Sequence, residues 1–182
     1  APGNGGQDLV QTPLALKDDR WTLDFDAMEA AVTERSRVFL FCHPHNPVGT
    51  AFTRAELERF AEFCLRHELM ACSDEIHCDL ILDDEVKHIP LASISPEIAD
   101  QTITLMAPSK TFNLPGFGCS FAIISNASLR ARYKKLRAGI VPDPPAMGLT
   151  LAEAAYREAI KLDPAFVGAH NNLGSALLAQ GR

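Results

Sequence analysis

Three short segments carry side chains whose chemistry is complementary. Asn46 lies in Pro44-His45-Asn46-Pro47-Val48-Gly49, Asp74 follows 28 residues later in Ser73-Asp74-Glu75-Ile76-His77-Cys78-Asp79-Leu80, and Lys110 a further 36 residues on in Ala107-Pro108-Ser109-Lys110-Thr111-Phe112-Asn113. A primary amine condenses with a carbonyl and, once released, accepts a proton. A carboxylate keeps a cationic ring nitrogen protonated, a side-chain amide donates to an oxyanion, and the Ser109 hydroxyl offers one more donor. His43, His45, His77 and Cys78 are zinc-type donors, but no CxxC or HExxH spacing gathers them and no metal site is expected. His43 and His45 read as turn residues, and Glu75 as a structural one.

The elements that must position these groups are legible around them. Val38-Phe39-Leu40-Phe41-Cys42 is an unbroken apolar run, read as a strand buried on both faces. Thr53-Arg54-Ala55-Glu56 has capping-box spacing, and Leu57, Phe60, Ala61, Cys64 and Leu65 recur behind it at helical intervals, so a helix is expected to end near His67. Leu69 to Cys72 is the next apolar run. Strand, helix, strand is the βαβ unit of a parallel sheet. Thr102 to Met106 adds another strand after a loop and a short helix. Asn46, Asp74 and Ser109-Lys110 therefore each follow a strand, which brings them to the carboxyl edge of an open α/β sheet, where ligands bind.

A group with a cationic ring nitrogen, a phenolate oxygen and an aldehyde suits that edge, and pyridoxal phosphate has all three. Lys110 would form the Schiff base with its aldehyde and then move the substrate Cα proton. Asp74, expected to be buried and anionic, would keep the pyridine nitrogen protonated and preserve the ring as an electron sink. Asn46 would donate to the phenolate oxygen, Ser109 would help hold the phosphate, and His77 would be a cofactor neighbour.

Elsewhere, Trp21 to Phe25 alternates apolar and polar residues, and Asp26 is expected to cap a short helix over Ala27 to Val32. Cys119 to Ile124 is separated from Met106 by twelve residues, too few for a full crossover helix, so an antiparallel pair is expected. Asn126 is placed to cap a helix running to about Arg137. Three prolines between Ile140 and Pro145 mark a linker.

Composition narrows the function classes. With 182 residues, 47% hydrophobic and 22% charged, the chain has globular composition, and its net charge of −6 with scattered basic residues argues against a nucleic-acid surface. Only Arg130 to Arg137 forms a basic run, read as a solvated helix face. No apolar stretch suits a membrane span, and the glycine-rich start is not a signal peptide. Five cysteines, an odd number set mostly in apolar runs, suit a reducing, cytoplasmic location. The start at Ala1 and the stop at Arg182 just after a helix suggest a segment of a longer chain.

With its three motifs in this order, the stretch from about Leu9 to Arg157 resembles the central part of the large domain of a fold-type I pyridoxal-phosphate enzyme, in the cystathionine β-lyase and class I/II aminotransferase family. The resemblance implies a carbon–sulfur β-lyase acting on a small amino acid, cystathionine or another cysteine S-conjugate, to give a thiol, pyruvate and ammonia. The alternative is an aminotransferase. The lyase reading rests on His77, where aminotransferases usually carry tyrosine three residues after the aspartate, and on Thr111-Phe112-Asn113. Many aminotransferases also place a phosphate-gripping arginine eight residues after the lysine, where this chain has Gly118. The resemblance further implies a homodimer, and a complete active site that draws on a phosphate loop, a ring-stacking aromatic and a small-domain arginine outside these residues.

Residues 155–164 and 169–181 resemble helices of a tetratricopeptide repeat, which implies a C-terminal α-helical hairpin and, as a third reading, a non-catalytic protein-interaction fragment binding a protein partner. The fold expected is α/β: a partial, mostly parallel sheet of a transferase large domain with flanking helices over residues 1–146, then the helical segment 147–182.

Overall fold

The computed structural model describes residues 2–114, 118–140 and 146–162, with residues 164, 170, 173, 174, 177 and 178 beyond them. The second helix expected over 169–181 lies largely outside the described residues, as does most of the proline-rich linker.

A four-stranded sheet positions the three motifs. Its order is β3 (Val38–Cys42), β4 (Met70–Asp74), β5 (Thr102–Met106) and β6 (Phe121–Ile123), with the first three parallel and β6 antiparallel to β5. The crossover from β3 to β4 is α2 (Arg54–Arg66). Thr53 and Glu56 form its capping box, each side chain bonding the other's backbone N–H, and His67 is its C-cap. Leu57, Phe60, Ala61 and Cys64 face the sheet and are buried, with the Phe60 ring stacked 4.2 Å from that of Phe41. α3 (Pro96–Asp100), capped by Ser95, leads into β5, and a one-turn helix α4 (Pro108–Thr111) follows it. Asn126 caps α5 (Ala127–Arg137), which buries no residue, as expected of a solvated basic helix. α6 (Ala146–Leu162) sets Leu149, Ala152 and Tyr156 against Cys119 and Phe121, with Phe112 edge-on to Tyr156.

Three expectations need correction. The N-cap of α1 (Phe25–Ala31) is Asp24, whose Oδ1 accepts from the Ala27 N–H at 3.0 Å; Asp26 lies inside the first turn. The alternating segment Trp21 to Phe25 belongs mainly to a hairpin, β1 (Leu14–Lys17) with β2 (Arg20–Leu23), turned by Asp18 and Asp19, both at positive φ as a type I′ turn requires. Arg20 ties this hairpin to α2 through paired 2.8 Å bonds to both Glu56 oxygens.

β3 is not buried on both faces. Phe39 and Phe41 pack on α2, whereas Val38 and Leu40 on the opposite face are 52% and 58% exposed. β4 repeats the asymmetry: Ala71 and Ser73 are buried, and Met70, Cys72 and Asp74 are half-buried. Among the described residues the sheet thus has one covered face and one half-open face, and β3 pairs with β4 alone.

Candidate active site

The strand register sets the geometry. Cys42 lies opposite Asp74, and Asp74 opposite Leu105, so β3, β4 and β5 end level with one another. The ladder runs one residue further, with the His43 N–H on the Asp74 carbonyl and the Glu75 N–H on that of Leu105, both at 2.9 Å. Neighbouring strands lie about 4.8 Å apart, and Asp74 closes the central one. It sits on the half-open face, half-buried rather than buried, and its Oδ1 accepts from the Ile76 N–H at 3.3 Å. Its charge, after burial, helps to push the Cys42 and Cys72 thiols above their ordinary range.

Asn46 follows β3 in a tight exposed loop, closed by the His45 N–H on the Thr50 carbonyl and the Gly49 N–H on the His45 carbonyl, both at 2.7 Å. Gly49 has φ +73°, the left-handed region that favours glycine. The Asn46 backbone N–H donates to the Cys42 Sγ at 3.4 Å, holding the loop over the end of its strand. After β5, Ser109 is half-buried and Lys110 exposed on α4, and Lys110 makes no ion pair among the described residues. His77 stands three residues past Asp74, half-buried. The sequence thus placed all five candidate residues, Asn46, Asp74, His77, Ser109 and Lys110, in segments that leave one edge of the sheet.

The donor set at that edge fits pyridoxal phosphate. Among the described residues, one carboxylate oxygen of Asp74 has no partner, Lys110 makes no ion pair, and the buried Nδ1 atoms of His45 and His77 have no hydrogen-bond partner. Orphaned polar atoms at a sheet edge suit a ligand that supplies their partners.

Glu75 was read as structural, but its partners and two other features were missed in the sequence. On the covered face, Glu75 is fully buried and accepts three hydrogen bonds: from Ser73 Oγ at 2.8 Å, the Leu91 N–H at 3.1 Å and His88 Nε2 at 2.7 Å. His43, read above as a turn residue, is instead a core residue with no exposure, its ring between Phe41, Phe52 and His88. Its Nδ1 accepts from the Phe52 N–H, so its Nε2–H donates to the Ile89 carbonyl and the ring is neutral. Burial, reinforced by the neighbouring His88, lowers its pKa to about 4 against the opposing pull of Glu75, the Ile89 carbonyl and Glu56. Strand alternation was the available signal, since Glu75 and His43 must point away from the face that carries Asp74.

The second feature joins two of the motifs. Thr111 Oγ1 donates to Asp79 Oδ2 at 2.7 Å, linking the residue after Lys110 to the loop that begins at Asp74.

A family-wide comparison matches residues 3–172 to the family described as Aminotransferase class I and II. The chain belongs to this family. Among curated relatives of this aminotransferase-family chain, the cystathionine beta-lyase PatB of Bacillus subtilis is 39% identical over 153 residues, covering 83% of the chain and 39% of PatB. The crystal structure of OvoB superposes with a TM-score of 0.78 at 46% identity, over 81% of the chain and 39% of OvoB. Cystalysin from Treponema denticola, whose structure contains a pyridoxal 5′-phosphate cofactor, gives a TM-score of 0.74 at 37% identity, over 80% of the chain and 37% of cystalysin. The chain spans about two fifths of the length of these relatives.

Proposed function

We propose that this chain is the cofactor-binding part of a pyridoxal 5′-phosphate-dependent carbon–sulfur β-lyase. One observation carries the reading: Asn46, Asp74 and Lys110 follow the ends of three adjacent strands, at an edge that keeps an unpaired amine and a carboxylate oxygen without a partner among the described residues. Bound there, the cofactor supplies an electron sink for the charge left when a Cα proton is removed. The chain's own groups do the rest. Lys110 would hold the cofactor at its aldehyde and, as a free amine, would hold and move the Cα proton at Nζ. Asp74 keeps the ring nitrogen protonated, Asn46 donates to the phenolate oxygen, Ser109 binds the phosphate, and His77 closes the edge beside Asp74.

The substrate is a small amino acid with sulfur at Cβ, and the complete enzyme is a homodimer. The similarity to the cystathionine beta-lyase PatB and His77 in place of tyrosine support a lyase. The family description supports the second reading, an aminotransferase. A reducing, cytoplasmic setting is supported by five cysteines that are all free. No helix of the described residues is long and apolar enough to cross a membrane.

The test compares the protein with its Lys110→Ala variant on cystathionine. A lyase consumes water and releases homocysteine, pyruvate and ammonia, and the variant loses at least about a thousandfold in turnover. Unchanged turnover overturns the role of Lys110. Amino transfer to a 2-oxoacid without pyruvate release favours the aminotransferase.

A further inference from the structure

We propose that Asp79 and Thr111 are positioning residues, a clamp that sets where Lys110 stands relative to Asp74. This inference rests on the reading that Lys110 is the reactive amine.

α4 has four residues, Pro108–Thr111, and a single helical turn does not hold its shape alone. Its own backbone supplies only local bonds: Lys110 N–H to the Ala107 carbonyl, Phe112 N–H to that of Pro108 and Leu114 N–H to that of Ser109. Its remaining anchors are Pro108, which is buried, and Phe112, whose ring meets Tyr156 of α6. The Thr111–Asp79 bond ties α4 to the segment that carries Asp74, across 32 residues of sequence, at 2.7 Å and half-buried. Beside Asp79, burial and the charges of Asp79 and Glu75 push the Cys78 thiol well above its usual range.

Asp74 and Lys110 must meet opposite ends of one rigid ring, so an ångström of drift between their segments is felt by the reaction. Thr111 sits next to Lys110 and Asp79 five residues past Asp74, so this hydrogen bond adds a side-chain tie beyond the strand ladder, next to the amine itself. Its acceptor is a carboxylate, which makes it one of the stronger kinds.

The experiment reads the amine itself. Purified protein is incubated with pyridoxal 5′-phosphate and reduced with borohydride. Lys110 Nζ attacks the aldehyde carbon, the oxygen leaves as water, and a carbon–nitrogen double bond forms. Hydride from borohydride then goes to carbon and a solvent proton to nitrogen. Peptide mass spectrometry gives the labelled fraction at Lys110 relative to Lys134 and Lys135 of α5, which serve as internal references.

Thr111→Val and Asp79→Ala are each expected to lower the relative labelling of Lys110 about tenfold, the scale of one charge-assisted hydrogen bond. Thr111→Ser, which keeps the hydroxyl, returns it to within about twofold, and in denaturing urea all four proteins label alike. Equal labelling in the parent and Thr111→Val, or failure of Thr111→Ser to rescue, overturns the clamp while leaving the role of Lys110 intact. A parent in which Lys110 is labelled no more than Lys134 overturns the assignment of the amine, and the clamp with it.

Discussion

Glu75 is a carboxyl group with no access to water, so its stability contribution depends on the three donors around it. Glu75→Ala strands the Leu91 N–H, the Ser73 hydroxyl and a His88 N–H together, and each buried donor left unpaired costs about 1–3 kcal/mol. The expected loss is about 3 kcal/mol, read as a lower urea midpoint at unchanged m-value. His43, one ring away, gives a pH signature. Its pKa is about 4 when folded and about 6.5 in an open chain, so the unfolded state binds the proton more tightly between those values. Stability is therefore full above pH 6.5 and falls as pH drops toward 4, by roughly 1 kcal/mol per pH unit in that window. His43→Gln is expected to flatten this part of the profile, measured by urea unfolding from pH 7 to pH 4.5. A slope unchanged by the substitution assigns the titration to another group.

At the scale of elements, α2 shows how far local sequence determines structure. Thr53 Oγ1 accepts from the Glu56 N–H at 3.3 Å, and Glu56 Oε2 accepts from the Thr53 N–H at 2.7 Å, the reciprocal pair its sequence spacing announces. Thr53→Ala is expected to cost about 1 kcal/mol by thermal unfolding. Glu56 also holds Arg20, so the cap and the β1–β2 hairpin share one carboxylate. α2, β4, β5 and the capping Asn126 were legible because caps and apolar runs are local signals. The hairpin was not, since Asp18-Asp19 is a weaker turn signal than a glycine-containing pair and β1 is only four residues long. The placement of Asn46, Asp74, His77, Ser109 and Lys110 beyond the strand ends was legible from their motifs and the apolar runs before them. Glu75's donors were not: His88 and Leu91 lie 13 and 16 residues away, in and beside an irregular segment without periodicity.

The whole molecule is organised by the difference between the two faces of its sheet. An apolar run such as Val38–Cys42 is read from sequence as doubly buried because composition alone does not say which neighbours cover it. Here α2 and α3 pack on one side, whereas Val38 and Leu40 on the other are exposed, and a cavity of about 590 Å³ runs along β3 beside the N-terminal segment, lined from both faces, by Val38 and Leu40 and by Phe39 and Phe41. The chain spans about two fifths of its relatives' length, so this face marks where the described residues end their own packing. Adjacent residues of one strand should therefore respond oppositely. Phe41, 3% exposed and stacked on Phe52 and Phe60, is expected to lose about 4 kcal/mol on Phe41→Ala through a cavity its rigid neighbours fill poorly. Leu40→Ala, at 58% exposure, is expected to cost no more than about 0.5 kcal/mol. Urea unfolding of the two variants measures the contrast directly. Equal costs would mean that the face carrying Asp74 is covered in solution, and the approach to Lys110 would then have to come from the strand ends alone.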